Sequence, residues 1–501
     1  MKKRYHKIWD KKRKSLGKRL ERRHYTDQTQ PMFKPANIVY EMAERTQATP
    51  YGGVGAMQAL VSALGLDAAI NERLPLLKFH VPYFESDHVL NIAYNVVCGG
   101  TCLEDIERLR QDESYMDMLV AERIPDPTTA GDFLRRFDAA STLELQETIN
   151  ATRQKVWSQQ SAALGQAATI DVDGTVAGTT GECKQGMDIA YNGVWGYAPL
   201  IVSLANTREV LYLVNRPGNH TSSQGAAEWI DRAITLVTGV CAKVWVRGDT
   251  DFALTQNLDR WDAQVSFVFG YDAYPNLVAQ AEGLPEAAWQ RLERPPGYEV
   301  ATKERRRPEN VKEKIVRARG YKNIRLLGEA VAEFDYRPTH CKKTYRMIVL
   351  RKHLRLEKGK QGLGEEFRYF FYITNDREQS AAAIVALANG RCDQENVIAQ
   401  LKSGINALRM PAGDLLANGA YMVIAALAWN LKAWYGLLTP DAAAGLAIVR
   451  MEFKRFRLNF IQLPCQMVRT GRRRVYRILT YNEHLKTFFA TLAYFKQLAF
   501  T

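Results

Sequence analysis

The stretch ATIDVDGT, residues 168–175, is the one on which the reading of the fold turns. Ile170 and Val172 alternate with Asp171 and Asp173 on a short β-branched run that stops at Gly174, the pattern of a strand ending in a turn. Downstream, YAPLIVSLAN (197–206) and EVLYLVN (209–215) repeat the strand pattern. SSQGAAEWIDRAITLVTGV (222–240) reads as a helix with a Ser cap and a Gly stop. KVWVRGD (243–249) is a fourth strand, FALTQNLDRW (252–261) a short helix and VSFVFGY (265–271) a fifth strand. The order β-β-β-α-β-α-β predicts an α/β domain in which an antiparallel meander enters a parallel sheet.

Three acidic residues occupy telling places in this order. Asp173 ends the first strand, beside Gly174 and Thr175. Asp171, two residues earlier, points to the same face, so either carboxylate could act as a ligand; the strand end favours Asp173. Asp249 follows the fourth strand, whereas Asp251 is expected to cap the helix after it. In RCDQENVIAQLK (391–402), Arg391, Glu395 and Lys402 stand at i, i+4 and i+11, within about 40° of one another on a helix. Two carboxylates at strand ends and one on a later helix can converge on a pair of divalent metal ions, an arrangement suited to phosphodiester chemistry. The two cations are then placed for phosphate. A solvated helix face with an ordinary Arg–Glu pair has the same spacing; the two strand-end aspartates that precede it favour the site.

Around this core the chain divides into further regions. Residues 1–34 form a basic arm. Its first 24 residues hold twelve Lys or Arg against Asp10 and Glu21, which supplies +10 of the chain's net charge of +14. Such a run is expected to be solvated or disordered until it meets a polyanion, and nucleic acid is the expected partner. Residues 35–160 carry apolar residues at helical spacing and read as a helical domain with a helix start near Ala130; beside a basic arm it is expected to be a DNA-binding domain, with a scaffold as the equal alternative. Residues 161–275 are the first part of the α/β domain. Residues 276–376 read as a β-rich insertion, basic in KERRRPENVKEKIV and strand-like in RLLGEAVAEFDY, TYRMIVLRK and FRYFFYITN. Residues 377–440 bring the second part, with the Glu395 helix, and 441–501 a basic, aromatic C-terminal region.

Taken together, PDPTTAGDFLRRF, DVDGT, VRGDTDF, FGYDAYP, YFFYITND, RCDQENVIAQLK and AWNLKAW, between about Gly52 and Trp434, resemble the DDE transposases of bacterial insertion sequences. More narrowly they resemble the insertion sequence 1380 family. The resemblance implies an RNase H-like mixed sheet flanked by helices, a β-rich insertion before the catalytic Glu, and a helical N-terminal domain. It implies that Asp173, Asp249 and Glu395 bind two Mg2+ ions, with Mn2+ able to substitute. Arg391 and Lys402 would contact DNA, and the second-choice carboxylates are Asp171 and Asp251. The partners implied are double-stranded DNA, at the element's terminal repeats and at the target, and a second copy of the chain on that DNA. The related motif begins with Tyr, where this chain has Ala388, and Cys392 stands where many relatives have Trp.

Two other readings fit the same residues: a transposase without chemistry that only binds DNA, and an RNase H-like nuclease that cuts without joining. Intact acids at all three positions, with Arg391 and Lys402 in register, favour the transposase over the first, and the long helical N-terminal region and β insertion favour it over the second, since pairing two ends needs extra DNA-holding surface. Seven dispersed cysteines without a Cys-x-x-Cys argue for reduced thiols in a cytoplasmic protein and against a zinc site; association with the nucleoid is what the resemblance implies. The apolar run from Leu415 to Leu438 is interrupted by Asn418, Asn430 and Lys432, and is expected to be a buried helix and not a membrane span. His80 and His88 lack Cys or acidic partners at metal spacing, and no Gly-x-Ser-x-Gly elbow accompanies His220.

Overall fold

The computed structural model describes residues 3–20, 38–160, 167–294, 314–315, 318–320, 322–358, 361–471 and 473–498. The β-branched runs fall into one sheet, with nine strands among the described residues. In chain order these are β1 (Ala168–Gly174), β2 (Leu200–Leu204), β3 (Glu209–Val214), β4 (Val244–Gly248), β5 (Ser266–Tyr271), β6 (Gln290–Arg291), β7 (Lys322–Tyr336), β8 (Tyr345–Lys358) and β9 (Gln361–Thr374). Their spatial order is β6-β7-β8-β9-β5-β4-β1-β2-β3. β1 pairs antiparallel with β2 and parallel with β4, and β4 pairs parallel with β5. The meander therefore enters a parallel core, as its sequence predicts. Every residue of β2 and β4 is buried, because helices cover both faces.

The insertion does not stand apart from this sheet. β9 returns antiparallel to β5, from Phe371 against Tyr271 to Thr374 against Val268, so β6–β9 lengthen the catalytic sheet instead of forming a separate layer. The basic KERRRPENVKE run lies outside the described residues. One face of β1, β4 and β5 packs against the helix Ala226–Thr238 through Ile170, Val246, Phe267, Ile230 and Ile234. Gly225, at φ 71°, supplies the N-cap of that helix, in place of the serine expected from the sequence.

The other face, through Ile201, Val210 and Leu213, shares a continuous core with the helices of residues 54–158 and with Leu415–Leu437. A buried polar knot fastens these layers. Arg153 Nε donates to Glu209 Oε1 at 2.9 Å, and Glu209 also accepts from Trp157 Nε1 and Trp434 Nε1 at 2.8 and 2.7 Å. The polar residues that interrupt the apolar run are each bonded: Asn418 with Ala412, Asn430 with Val210, and Lys432 Nζ to Val449 O at 2.8 Å. Among the described residues no single helix is long and apolar enough to cross a membrane.

His88, in the helix Glu85–Cys98, is buried and stacks on Phe133 at 4.4 Å. Burial holds its pKa down at about 4 against the opposing pull of Glu85. The unfolded chain takes up this proton first, so His88 stabilises the fold fully above pH 6.5 and progressively less as pH falls towards 4. His88→Phe, followed by thermal melts across that range, is expected to flatten the acid slope; an unchanged slope would reject the assignment.

The arm departs from its expectation. Lys3–Leu20 is a helix, anchored by the buried Trp9, whose Nε1 donates to Asn482 O at 2.9 Å. Two aromatics four residues apart, Tyr5 and Trp9, give this charged segment a face that can be buried. It packs through Tyr5 on Phe489 and through Trp9 on Tyr481, just beyond a C-terminal hairpin, β10 (Cys465–Thr470) with β11 (Arg473–Ile478), whose first strand also pairs with Gln47–Thr49. Residues 21–34 of the arm lie outside the described set.

Candidate active site

Because β1 and β4 are adjacent and parallel, with Asp171 opposite Arg247, their C-terminal ends lie side by side. Asp173 and Asp249 are thereby neighbours. Glu395 reaches the same edge from the helix Cys392–Ala399. The structure brings all three carboxylates to one guanidinium. Arg391 Nη1 lies 2.8 Å from Asp173 Oδ2 and 4.0 Å from Asp249 Oδ2, and Nη2 lies 3.8 Å from Glu395 Oε1. Side-chain exposure rises from 15% at Asp173 through 36% at Asp249 to 60% at Glu395, so the cluster is walled on the strand side and open on the helix side.

The electrostatics follow from that wall. Burial pushes the Asp173 carboxyl up to about 6; Arg391 opposes the shift and the Asp249 charge adds to it. Asp249 is also raised by burial, countered by Arg391 and reinforced by Asp251 and Asp272. Asp272, at the end of β5, thus adds to the negative potential of the edge. Lys402 is pulled down by burial and up by Asp173, so it sits within that carboxylate's field. It is carried by a π-turn, Gln400–Gly404, which departs from the regular helix assumed from the sequence.

The second-choice carboxylates are placed differently. Asp171 is 1% exposed and takes a two-pronged ion pair from Arg247, Nε at 2.6 Å and Nη2 at 2.8 Å. Asp251 is exposed and its side chain caps nothing among the described residues. The cap is Asp249, whose Oδ1 accepts from the Asp251 N–H at 3.1 Å, which corrects the role expected for Asp251.

Two positioning residues escape a reading of the sequence. Gln394, 1% exposed, donates through Nε2 to Asp171 O and Ile201 O, both at 3.1 Å, and pins the Glu395 helix across β1 and β2. Arg247 extends Nη1 to Leu387 O at 2.8 Å, binding the end of the helix Ala381–Asn389 just before Arg391. Gly390 leaves room for this, since a Cβ there would lie 2.4 Å from Arg247 Nη1. The only local signal was the Gln–Glu pair itself; the partners of Gln394 are more than 190 residues away in sequence. Ala388 packs beside the small core of Trp245, Val268, Ile348 and Ile384, so its side chain meets the sheet side.

Among the described residues no three His, Cys, Asp or Glu side chains are gathered as a ready metal cluster. Asp173, Asp249 and Glu395 instead share one organic cation, and the Arg391 guanidinium stands in for positive charge at their centre. The donors are all carboxylate oxygens, which fit a hard divalent ion and not a soft one.

A helix-flanked mixed sheet in which the antiparallel meander β3-β2-β1 continues into parallel β4 and β5 has an RNase H-like order, and two of its adjacent parallel strands lead into aspartates. The chain matches the family described as transposase DDE domain group 1 over residues 43–499, and it belongs to that family. Among solved structures, the piggyBac transposase synaptic complex with hairpin DNA is similar over 83% of this chain and 84% of that chain, at 13% identity and a TM-score of 0.36. No curated protein matches the chain.

Proposed function

We propose that this chain binds the ends of an insertion sequence, cleaves them by metal-dependent phosphodiester hydrolysis and joins the freed 3′-hydroxyl to target DNA. The observation that carries the reading is the meeting of Asp173, Asp249 and Glu395 on Arg391. In this reading the three carboxylates hold two Mg2+ ions, or Mn2+ in their place, which when bound activate the attacking oxygen and stabilise the leaving one. Arg391 moves from the carboxylates to a phosphate beside the scissile bond, which its planar fork suits, and Lys402 holds a second phosphate as a point charge. In the first step a P–O bond to water forms and the P–O3′ bond breaks, leaving a 3′-hydroxyl. In the second, that hydroxyl attacks a target phosphodiester, so one such bond replaces another and no nucleotide energy source is consumed. Pairing two element ends calls for two copies of the chain on DNA. The element is of the insertion sequence 1380 type, and the protein acts on DNA in the bacterial cytoplasm.

Excision in cells tests the reading, with a marker flanked by the DNA found on either side of the gene. Precise excision and reinsertion are expected. Cutting without joined products would favour a nuclease, and binding without cutting would favour a transposase that has lost its chemistry.

Arg391 offers a second test. If its guanidinium occupies the place of the metal charge, Arg391→Ala should bind Mn2+ more tightly than the intact chain in the absence of DNA, by roughly tenfold. The same variant should cleave DNA poorly. Titration calorimetry reads the first effect, and weaker or equal Mn2+ binding would exclude the competition.

A further inference from the structure

Four arginines are buried among the described residues: Arg153, Arg216, Arg247 and Arg346. Three of them have a carboxylate partner, Arg153 in Glu209, Arg247 in Asp171 and Arg346 in Glu333. Arg216 is 6% exposed and, among the described residues, has none. Its Nε donates to Ala198 O at 2.8 Å, and its Nη1 to Ser222 O and Gln224 O at 3.0 and 2.7 Å. Nη2 is buried without a hydrogen-bond partner. Burial lowers the Arg216 pKa to about 10, so the group is still charged at neutral pH. A buried charge left without a counter-charge is costly, and the other three arginines show how this chain ordinarily avoids that cost.

The guanidinium points into the loop of residues 218–225, GNHTSSQG, which leads into the helix Ala226–Thr238. No side chain caps the first N–H groups of that helix. The side chains of Thr221, Ser222 and Ser223 make no hydrogen bond among the described residues; Thr221 is exposed and the two serines are half-buried. Burial lowers the His220 pKa and Arg216 lowers it further, so the field of the buried cation reaches the loop. The loop also abuts the catalytic edge. A Cβ on Gly174, the residue after Asp173, would lie 3.1 Å from Ser222 Cβ and 3.2 Å from its Oγ. Uncapped helix N–H groups, unused hydroxyls and an unpaired cation beneath them are the elements of an anion site. Beside carboxylates that act on phosphodiesters, the anion at hand is a phosphate of the same strand.

We propose that residues 221–225 bind one backbone phosphate of the DNA strand next to the scissile bond, through the Thr221 and Ser222 hydroxyls and the N–H groups that open the helix, with Arg216 beneath supplying the counter-charge. Arg216 is a positioning residue here: it acts through the loop and touches neither metal nor reacting atoms. The site rests on the reading that Asp173, Asp249 and Glu395 cut DNA, and adds what fixes the strand across them. It reads no base, so it sets the register of the strand and not its sequence.

The test measures binding of the full chain, in metal-free buffer, to a duplex carrying the element end in which single phosphates around the cleavage point are replaced by neutral methylphosphonates. One position should cost the intact chain about tenfold in affinity. It should fall within about three nucleotides of the scissile bond, because Ser222 packs against the residue after Asp173 and each nucleotide advances about 3.4 Å. In Arg216→Met, which removes the charge and keeps most of the volume, that position should become indifferent while the others keep their effects. Arg216→Lys should restore part of the penalty. Thr221→Asp, at an exposed position, sets a carboxylate where the phosphate would lie; it should weaken binding of the unmodified duplex about tenfold and erase the effect of the same position. An Arg216 that only holds the loop would lower affinity evenly and leave the profile unchanged, and that result would overturn the site, as would a flat profile in the intact chain. If Arg216→Met does not fold, Thr221→Asp decides alone. Failure of the intact chain to bind the element end would sink the proposed function and this site with it; binding with a profile that neither variant alters would sink the site alone.

Discussion

Asp173→Asn is expected to abolish cleavage, lowering the rate by at least about a thousandfold, or about 4 kcal/mol of transition-state stabilisation. The substitution is nearly isosteric and removes only the charge. The Arg391 guanidinium beside it keeps a hydrogen-bond acceptor, so the fold and the affinity for element-end DNA should hold. Asp249→Asn and Glu395→Gln should behave in the same way. Asp251→Asn is the control: its carboxylate is exposed and reaches the site only through its field on Asp249, so its loss should alter the rate by no more than a few-fold. Gel assays of end cleavage, alongside binding to uncleaved ends, separate these outcomes. Metal-dependent cutting by Asp173→Asn at the normal rate would remove that residue from the chemistry.

Arg247→Ala should strike stability instead. It leaves Asp171 buried and uncompensated, and the loss of one partner from such a pair costs about 3 to 5 kcal/mol. Asp171→Ala should cost a similar amount. Both would also depress activity, because Arg247 ties down the segment that carries Arg391. A fall in activity alone would therefore make Asp171 look like a ligand. Denaturant unfolding distinguishes the roles: a shift below about 1 kcal/mol for Arg247→Ala would contradict the buried pair. Replacing both partners with apolar residues of similar size should recover much of the stability.

What could be read from the sequence was what local order determines. The strand runs around Asp173 and Asp249 stood out because β-branched residues end at turn residues, and the helix around Glu395 because Arg391 and Glu395 recur at helical spacing. Their adjacency follows from the parallel pairing of β1 with β4. What local pattern could not give was any partner chosen across the fold. In a strand of alternating acids the strand end favours Asp173 over Asp171, but the partners that fix their separate roles, Arg247 at one and Arg391 at the other, come from across the fold. Gln394 was invisible for the same reason, since its role lies in two backbone oxygens of distant strands. The arm's composition pointed to disorder and outweighed Tyr5 and Trp9, the two residues that decide its structure.

The pairing of β9 with β5 also sets a length. Only Phe371–Thr374 of β9 lie against the catalytic strands, and the ten residues before them run outward with β7 and β8. At about 3.3 Å per residue that ribbon reaches roughly 33 Å, close to one turn of duplex DNA at about 34 Å. A contact at its tip would thus fall about one helical turn from the bond at Asp173. Removing one residue from each strand of the ribbon would draw its tip in by about 3.3 Å, close to one base pair.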